Sequence, residues 1–514
     1  MHDETPPPRL GDMSPAEFRR HGHHLIDWIA DYFEHPERYP IMSRSKPGDI
    51  KQQLPSAPPT APEPFEAIFK DFEQHILPGV THWNHPGFFG YFSLTGSSPG
   101  ILGELLMSAL NVTAMVWRTS PAATELEEVV VDWVRQMMGL PAEFRGMLVD
   151  TASIASMTAF AGARERAGLS IREKGMAGRA ELPRLRVYIS EQAHSSLDKA
   201  ALTVGIGQEG IRKIPVDERF SMRAGELERA IQEDLAAGWR PLCVVPTIGT
   251  TSSASIDPVP EVAEICRRHG IWMHVDAAQG GAAAIAPELR PLLAGWEHGD
   301  SIVVNLHKWM FVPMDCTVLF VREPRVLKQA FSLVPAYLES ATTRSDEITN
   351  YMDWSLQLGR RFRALKLWMV LRSFGQETLA AHIRNHIAMA GELAARIQAE
   401  PDFELLAPRS FSTLCLRARP RDLEPLLRQG PPEEKGKVEA YLNELNEATL
   451  EAVNATGRVL LSQTKLNGRF TLRISIGNMR TTEAYAQEAW ELVRKHAQSL
   501  DARRRETGRL SLRG

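Results

Sequence analysis

The feature that most constrains the fold is an alternation of short apolar runs with amphipathic segments from about residue 145 to residue 325. The clearest apolar runs cover residues 187–189, 242–245, 271–275, 302–304 and 318–321. Between the second and third runs, Val259–His269 has the length and periodicity of a helix that connects two parallel strands. Alternation of this kind is typical of an α/β fold and predicts a mostly parallel sheet.

The chain is expected to divide into four parts. Residues 1–12 are acidic and proline-rich and are predicted to form a disordered leader. Residues 13–97 contain two amphipathic helices joined by a proline-rich connector, which predicts an N-terminal helical arm. Residues 98–365 form the large α/β domain, and residues 366–514 form a smaller C-terminal α+β domain. Because the arm is too thin to bury its own apolar faces, we expect it to pack on a second subunit in a homodimer.

Composition argues against several classes of protein. The 59 basic and 63 acidic residues give a formal charge of −4, which does not favour nucleic-acid binding. The four cysteines form no CxxC pair and are expected to be buried free thiols. No apolar stretch is long enough to cross a membrane, so we expect a cytoplasmic protein. The histidines near the N-terminus fit a solvated helix face better than a metal site, and no metal is expected; they are His21, His23 and His24.

Polar residues gather where the predicted strands end. Asp276 closes one strand, Lys308 follows another, and His194 lies just past a third. Ligands of open parallel sheets bind beyond these carboxyl ends. A lysine amine can form an imine with an aldehyde cofactor, and a buried carboxylate can keep a pyridine nitrogen protonated. Backbone N–H groups at a helix start near Thr151 suit a phosphate, so together these residues predict pyridoxal 5'-phosphate (PLP).

Four short motifs carry a resemblance to a known family. The stretches HVDAA (274–278), NLHKW (305–309), QAHSS (192–196) and PGVTHW (78–83) resemble the group II PLP-dependent decarboxylases. Within that group the chain is most similar to the aromatic-L-amino-acid decarboxylase family, from Ser14 to about residue 495. The resemblance implies the PLP-dependent transferase fold (fold type I) with a seven-stranded sheet. It also implies a homodimer whose pocket residues cross the subunit interface.

The resemblance assigns a cofactor role to residues at the strand ends. Lys308 corresponds to the Schiff-base lysine, Asp276 to the partner of the pyridine nitrogen, and Ala278 to the residue beneath the ring. His194 corresponds to the histidine that stacks on the ring and orients the substrate carboxylate. The remaining cofactor-binding residues are Thr251 near the 3-oxygen and a phosphate cradle of Thr151, Ala152, Ser153, Asn305 and His307. Asp150 stands where the family has glycine and would repel a phosphate, so it is left out of the site.

The resemblance also favours one reaction. Tyr337 matches the proton-donating tyrosine of the family's mobile loop, and it completes a catalytic set with Lys308, His194 and Asp276. Similar aldehyde synthases typically carry phenylalanine at the tyrosine position or asparagine at the histidine position. We therefore predict decarboxylation of an aromatic L-amino acid (DOPA, tyrosine, tryptophan or phenylalanine) to its amine and CO2. An aldehyde synthase is the first alternative, a histidine decarboxylase the second, and a non-catalytic PLP-binding scaffold the third.

The predicted substrate pocket contains aromatic and small residues. Its aromatic wall consists of Trp83, Tyr91 and Phe92. Thr113 and Met115 stand where isoleucine and phenylalanine are common, although ordinary core positions would explain them equally well. Gly359 replaces a serine that is usual in histidine decarboxylases, which favours a larger aromatic ring over histidine. Arg473 lies in an apolar run and could either reach the cofactor region or form a structural pair.

Overall fold

The centre of the molecule is a seven-stranded sheet. The computed structural model describes residues 11–333 and 348–506, so most of the predicted leader and the predicted proton donor Tyr337 lie outside it. Within the described residues the strand order is β1-β7-β6-β5-β4-β2-β3. The strands are β1 Arg145–Val149, β2 Arg184–Ser190, β3 Ile211–Ile214, β4 Trp239–Val245, β5 Trp272–Asp276, β6 Ser301–Asn305 and β7 Thr317–Val321.

Strand direction agrees with the sequence prediction. Strands β3, β2, β4, β5 and β6 pair in parallel, whereas β7 is antiparallel to both β6 and β1. Strand β1 therefore runs in the same direction as β6. Six strands thus direct their carboxyl ends to one edge of the sheet, and the prediction of a mostly parallel α/β sheet is confirmed.

Helices cover both faces of this sheet. The helices before the small domain are α1 Pro15–Glu34, α2 Asp49–Gln53, α3 Phe65–Asp71, α4 Ser98–Leu110, α5 Pro121–Met137, α6 Ala152–Arg166, α7 Ile171–Lys174, α8 Ser195–Thr203, α9 Ala224–Ala236, α10 Val259–His269, α11 Leu306–Trp309 and α12 Pro324–Phe331. Alternate strand residues enter two different apolar cores, because successive side chains of a strand point to opposite faces. Val244 belongs to the core that contains residues of α5, α9 and α10, whereas Val245 belongs to the core that contains residues of α6, α8 and α12.

The N-terminal arm consists of α1 and α3 packed together. Helix α1 begins with a capping box in which Ser14 and Glu17 bond each other's backbone N–H groups. Helix α3 continues as a π-helix over Phe72–Ile76. The prediction that all three histidines of α1 face solvent is wrong for His21, which is only 8% exposed. Its ring lies 4.6 Å from that of Phe65, because α3 covers this side of α1.

A second, antiparallel sheet forms the C-terminal part. Its strand order is β10-β11-β9-β8, and its core is shared with α13, α15 and α16. Backbone angles at Gly375 (φ 65°, ψ 172°) interrupt α13, so it comprises two helical segments, and the proposed domain boundary at 365/366 falls near its start. That boundary stays a prediction. The elements are α13 Arg363–Ala399, β8 Phe403–Leu405, β9 Thr413–Ala418, α14 Glu424–Gln429, α15 Pro432–Ala455, β10 Ser462–Leu466, β11 Arg469–Ser475 and α16 Glu483–Glu506.

The stability of the fold should decrease in acid because four of its histidines are buried. Burial lowers the pKa of His85, His274 and His386 to about 4 and that of His307 to about 3. Below the ordinary value of 6.5, the unfolded chain binds protons that the folded chain does not, so folding stability decreases as the pH falls from 6.5 towards 4. Each histidine contributes at most about 1.4 kcal/mol per pH unit. The melting temperature of cofactor-free protein should therefore be lower at pH 5 than at pH 7.

Two matched variants test whether a buried histidine causes this acid sensitivity. His85→Gln should make the decrease in melting temperature between pH 7 and pH 5 smaller. Exposed His23 is the control, and His23→Gln should leave the decrease unchanged. An equal decrease in wild type and His85→Gln would contradict the assignment of His85.

Candidate active site

A cavity of about 520 Å³ lies at the carboxyl edge of the large sheet. The loops that follow β1, β2, β4, β5 and β6 form one side, and residues of the arm segment and the small domain form the other. Most residues predicted from the sequence line this one cavity, namely Trp83, Tyr91, Phe92, Thr151, Ala152, Ser153, His194, Thr251, Asp276, Ala278, Asn305, His307 and Lys308.

Lys308 and Asp276 provide the cavity with an amine and a carboxylate. Lys308 lies in α11, immediately after β6, and its Nζ is 5.2 Å from the centre of the Phe92 ring. Burial lowers the pKa of Lys308, while the charge of Asp276 acts in the opposite direction. Asp276 ends β5, and its Oδ1 accepts a hydrogen bond of 3.1 Å from the N–H of Ala278. A lysine with a lowered pKa is more readily available as the neutral, nucleophilic amine.

His194 is held in one tautomer by a residue of the first turn of α8. Its Nδ1 accepts the N–H of Ser196 at 3.1 Å and lies 2.8 Å from the Ser196 hydroxyl. Because Nδ1 is an acceptor, the proton of the neutral ring lies on Nε2. Partial burial lowers the pKa of His194 and so favours this neutral form. The ring can therefore donate one hydrogen bond from Nε2.

His307 and Asn305 also have N–H donors available, because in each side chain the acceptor atom already accepts a hydrogen bond from the protein. The Nδ1 of His307 accepts the backbone N–H of Cys316 at 3.0 Å, which places the ring proton on Nε2. The Oδ1 of Asn305 accepts the hydroxyl of Thr317 at 2.8 Å, which leaves the amide N–H groups available. Both side chains line the cavity. Neutral N–H donors of this kind suit a phosphate, and burial lowers the pKa of His307 to about 3.

Helix α6 brings its N-terminus to the same region. Thr151 is the N-cap residue, and Ala152 and Ser153 are in the first turn, where backbone N–H groups have no partner within the helix. The neighbouring Asp150 carboxylate is engaged elsewhere. It accepts hydrogen bonds from Gln357 Nε2 (2.9 and 3.0 Å) and from Arg363 Nη2 (2.9 Å). The expected repulsion between Asp150 and a phosphate is thus offset by a paired cation.

Some buried polar atoms in the cavity wall have no hydrogen-bond partner among the described residues. They are Thr247 Oγ1, Gln279 Oε1 and Arg473 Nη2. Since buried polar groups are almost always paired in folded proteins, these three atoms are available to a polar ligand in the cavity. Arg473 is 3% exposed, and its other nitrogens bond Ser252, Tyr91 and Ser462. It therefore combines both roles considered for it, a structural pair and a cavity residue.

The small domain contributes residues that sequence analysis missed. Ser462, Gln463 and Thr464 of β10 line the cavity, as do Gln279 and Met314. Strand β10 is largely polar and so lacks the apolar run that identifies a buried strand. For this side of the site, the one signal in the sequence was Arg473, a charged residue within an apolar strand.

Three predicted pocket residues lie together but outside this cavity. The N–H of Arg360, next to Gly359, is 3.4 Å from Thr113 Oγ1, and the Met115 carbonyl accepts the N–H of Met352 at 3.0 Å. The carbonyl of Arg360 also accepts the N–H of Ala114 at 2.8 Å. Within one chain, Thr113, Met115 and Gly359 therefore form a separate group, the 113–359 cluster. Their assignment to the substrate pocket stays a prediction.

The cavity fits PLP. Lys308 supplies an amine for the aldehyde, Asp276 a carboxylate for the ring nitrogen, and Ala278 a methyl side chain that leaves room for a flat ring. The phosphate can be held by the donors of Asn305, His307 and the start of α6.

Among the described residues, no group of three or more His, Cys, Asp or Glu side chains could hold a metal ion. The helices of the same ranges all fall short of the length and hydrophobicity that a membrane-spanning helix needs.

Known proteins with similar sequences and structures agree with this assignment. The family model described as the pyridoxal-dependent decarboxylase conserved domain matches residues 47–419. Tyrosine/DOPA decarboxylase 2 of Papaver somniferum is 39% identical over 502 residues, which cover 94% of this chain and 93% of that protein. A phenylacetaldehyde synthase of a Rosa hybrid cultivar is 40% identical over 496 residues, or 95% of each chain. The TDC of Oryza sativa, solved with PLP and tryptamine, has a TM-score of 0.89 at 36% identity, covering 96% of this chain and 100% of that one.

Fold and site together define a PLP-dependent enzyme of fold type I. The chain belongs to the pyridoxal-dependent decarboxylase family. The predictions of family, fold class, cofactor and enzyme class, a PLP-dependent carboxy-lyase, are thereby confirmed.

Proposed function

We propose that this enzyme decarboxylates an aromatic L-amino acid to the corresponding amine and CO2. The observation that carries the proposal is one cavity in which Lys308, Asp276 and His194 face an aromatic wall. In that wall the rings of Trp83 and Tyr91 stack at 5.6 Å with an interplanar angle of 16°. A flat, apolar side chain of a substrate would pack well against these rings.

The side chains have distinct chemical tasks. Bound PLP supplies an electron sink for the electron pair that is left when CO2 departs. The carboxylate of Asp276 would hold a proton on the ring nitrogen of bound PLP, because a nearby negative charge favours the protonated form. His194 donates from Nε2 and can orient the substrate carboxylate. We assign the return of a proton to Tyr337 on the resemblance alone, because Tyr337 lies outside the described residues.

The main alternative is an aldehyde synthase. The similarity of the chain to phenylacetaldehyde synthase, 40% identity, is as high as its similarity to the decarboxylase, so overall identity does not distinguish the two reactions. The combination of His194 and Tyr337 favours simple decarboxylation. Gly359 favours an aromatic ring larger than that of histidine.

A substrate panel separates these reactions. DOPA, tyrosine, tryptophan, phenylalanine and histidine are each supplied to the enzyme, and amine, CO2, aldehyde and ammonia are quantified. We expect one amine per CO2 from at least one aromatic substrate, with little ammonia and no turnover of histidine. Aldehyde and ammonia in equal amounts to CO2 would contradict the decarboxylase, and no turnover with PLP bound would support a non-catalytic scaffold.

We further propose that the enzyme is a homodimer whose two cavities are completed across the interface. Helix α4 exposes a row of leucines on one face, between 45% and 58% accessible, formed by Leu102, Leu105, Leu106 and Leu110. A large exposed apolar face of this kind is typical of a subunit interface. A Cβ added at Gly359 meets no atom within 4 Å, so packing within one chain does not require glycine there. If the cavity of the partner subunit faced the 113–359 cluster, this would account for the exposed leucine face of α4 and for the open space at Gly359.

Mixed dimers test this arrangement. Lys308→Ala subunits and Gly359→Trp subunits should each be inactive or nearly so as pure dimers, because one lacks the amine and the other has an obstructed pocket. When they assemble at random, about one quarter of wild-type activity should return, since half of the dimers are mixed and each has one complete site. No recovery in verified mixed dimers, or a monomeric mass by light scattering, would contradict the shared pocket. Gly436→Trp, at an exposed glycine with nothing within 4 Å, is the matched control and should stay active.

We also propose that the enzyme acts in the cytoplasm. All four cysteines are free and buried, which suits a reducing compartment. Fractionation of the source cells should recover the activity with cytoplasmic markers, and recovery with an organelle or a membrane fraction would contradict the proposal.

A further inference from the structure

A buried hydrogen-bond chain connects the lysine-bearing segment to the aromatic wall of the cavity. It begins at Trp309, the residue after Lys308, whose indole Nε1 donates to Nδ1 of His386 at 2.9 Å. His386 Nε2 in turn lies 3.1 Å from the carbonyl oxygen of Asn478. Trp309 and His386 are each 1% exposed, and Asn478 is fully buried. Water therefore has little access to these bonds.

The donors and acceptors of this chain determine one state of His386. An indole N–H can only donate and a carbonyl oxygen can only accept, so His386 must carry its proton on Nε2 and leave Nδ1 free. Burial lowers the pKa of His386 to about 4, so this neutral tautomer persists throughout the physiological range. A doubly protonated ring would place an N–H group against the indole N–H and break the first bond. The side chain at position 386 must therefore accept a hydrogen bond from Trp309 and donate one to the carbonyl of Asn478.

The far end of the chain reaches the substrate side of the cavity. The side-chain amide of Asn478 donates to the carbonyl of His85 at 3.0 Å and lies 3.4 Å from that of Trp83. Trp83 lines the cavity and stacks on Tyr91. Three separate parts of the fold therefore meet at His386: the segment after β6, helix α13 and the segment after β11.

We propose that His386 is a positioning residue that fixes the distance between Lys308 and the aromatic wall. The basis is geometric. Trp309 and Trp83 belong to segments far apart in the sequence, and the polar chain through His386 and Asn478 joins them at four defined contacts. Because displacements of about 1 Å of a reacting group can cost a hundredfold in rate, such a link bears directly on turnover. The inference rests on the proposed role of Lys308.

Three variants and a control test the proposal in the full-length enzyme with PLP. His386→Phe keeps a planar ring but removes both hydrogen bonds, and kcat/KM should fall about tenfold or more. His386→Gln can still accept and donate, and it should recover activity to within about threefold of wild type. Trp309→Phe removes the same bond from the other end, and its effect should not add to that of His386→Phe. His382→Phe, one turn away and against the same Phe311 ring, should leave kcat/KM unchanged.

A direct structural readout accompanies the kinetics. In protein labelled with 15N at the tryptophan indoles, the Trp309 signal, assigned by its loss in Trp309→Phe, should shift in His386→Phe and return close to its wild-type position in His386→Gln. Unchanged kcat/KM in a folded His386→Phe enzyme, or failure of His386→Gln to restore activity, overturns the proposal. If His386→Phe does not fold, wild-type kcat/KM in Trp309→Phe overturns it equally. Failure of the Lys308 assignment is distinguishable, because wild-type enzyme would then carry PLP on another residue.

Discussion

Lys308→Ala should lower kcat/KM for the preferred aromatic amino acid by at least about a thousandfold, with no comparable loss of stability. The reason is that Lys308 provides the amine in a cavity whose other polar groups are a carboxylate, imidazoles, amides, hydroxyls and a buried guanidinium. None of these can replace a neutral amine as a nucleophile towards an aldehyde. Removal of the side chain also removes a buried amine whose charged form is disfavoured there, so the fold itself should tolerate the change.

The control for this variant is another lysine near the site. Lys199 lies exposed on α8, close enough to influence the charge on His194 but outside the cavity wall. Lys199→Ala should retain activity within about twofold, as is usual for surface substitutions. Activity of Lys308→Ala within tenfold of wild type, measured on protein freed of contaminating host enzyme, would contradict the assignment of Lys308.

Asp276→Asn should produce the second largest loss, at least about a hundredfold in kcat. The substitution preserves the shape of the side chain but removes the charge that keeps the ring nitrogen protonated. The electron sink is then weaker, so the step in which CO2 leaves should slow more than substrate binding. We therefore expect the loss mainly in kcat, with KM changed much less, as determined from initial rates over a range of substrate concentrations.

A second buried carboxylate provides the comparison for Asp276→Asn. Asp257 is 2% exposed and accepts the backbone N–H groups of Met222 and Thr247 at 2.7 Å, but it does not line the cavity. Burial raises the pKa of Asp257 to about 7, so its neutral form is already well populated near neutrality. Asp257→Asn should lower the melting temperature while kcat stays within about threefold. A larger loss of kcat in Asp257→Asn than in Asp276→Asn would contradict the role given to Asp276.

Sequence reasoning worked best where a single local pattern determines the outcome. Val259–His269 was predicted with the same bounds that the structure has, because its apolar periodicity, early acid and terminal glycine all agree. The strand-end residues were found for the same reason: carboxyl ends of parallel strands must meet at one edge. Asp276, Lys308 and His194 are accordingly brought together by topology alone.

Features that depend on long-range packing escaped the sequence. Ser462 of the polar strand β10 lines the cavity, but β10 has no periodic apolar pattern that would predict this. His21 was expected in solvent because nothing local shows that α3 covers it. The pairing of Asp150 with Arg363 joins positions more than 200 residues apart, so the sequence showed only the unfavourable charge. The 113–359 cluster was expected within the substrate pocket, and the sequence did not show that long-range contacts such as Ala114 N–H to the Arg360 carbonyl group it outside the cavity of the same chain.

The central claim, that Lys308 carries the cofactor, is tested most directly by borohydride reduction of the purified enzyme followed by peptide mass spectrometry. Reduction makes the link between lysine and PLP permanent, so the labelled residue can be read from fragment masses. We predict one PLP-derived group per chain, on the peptide that contains Lys308, with loss of the visible absorption band. Label on a different lysine, or an enzyme that turns over substrate without any reducible PLP, would contradict it.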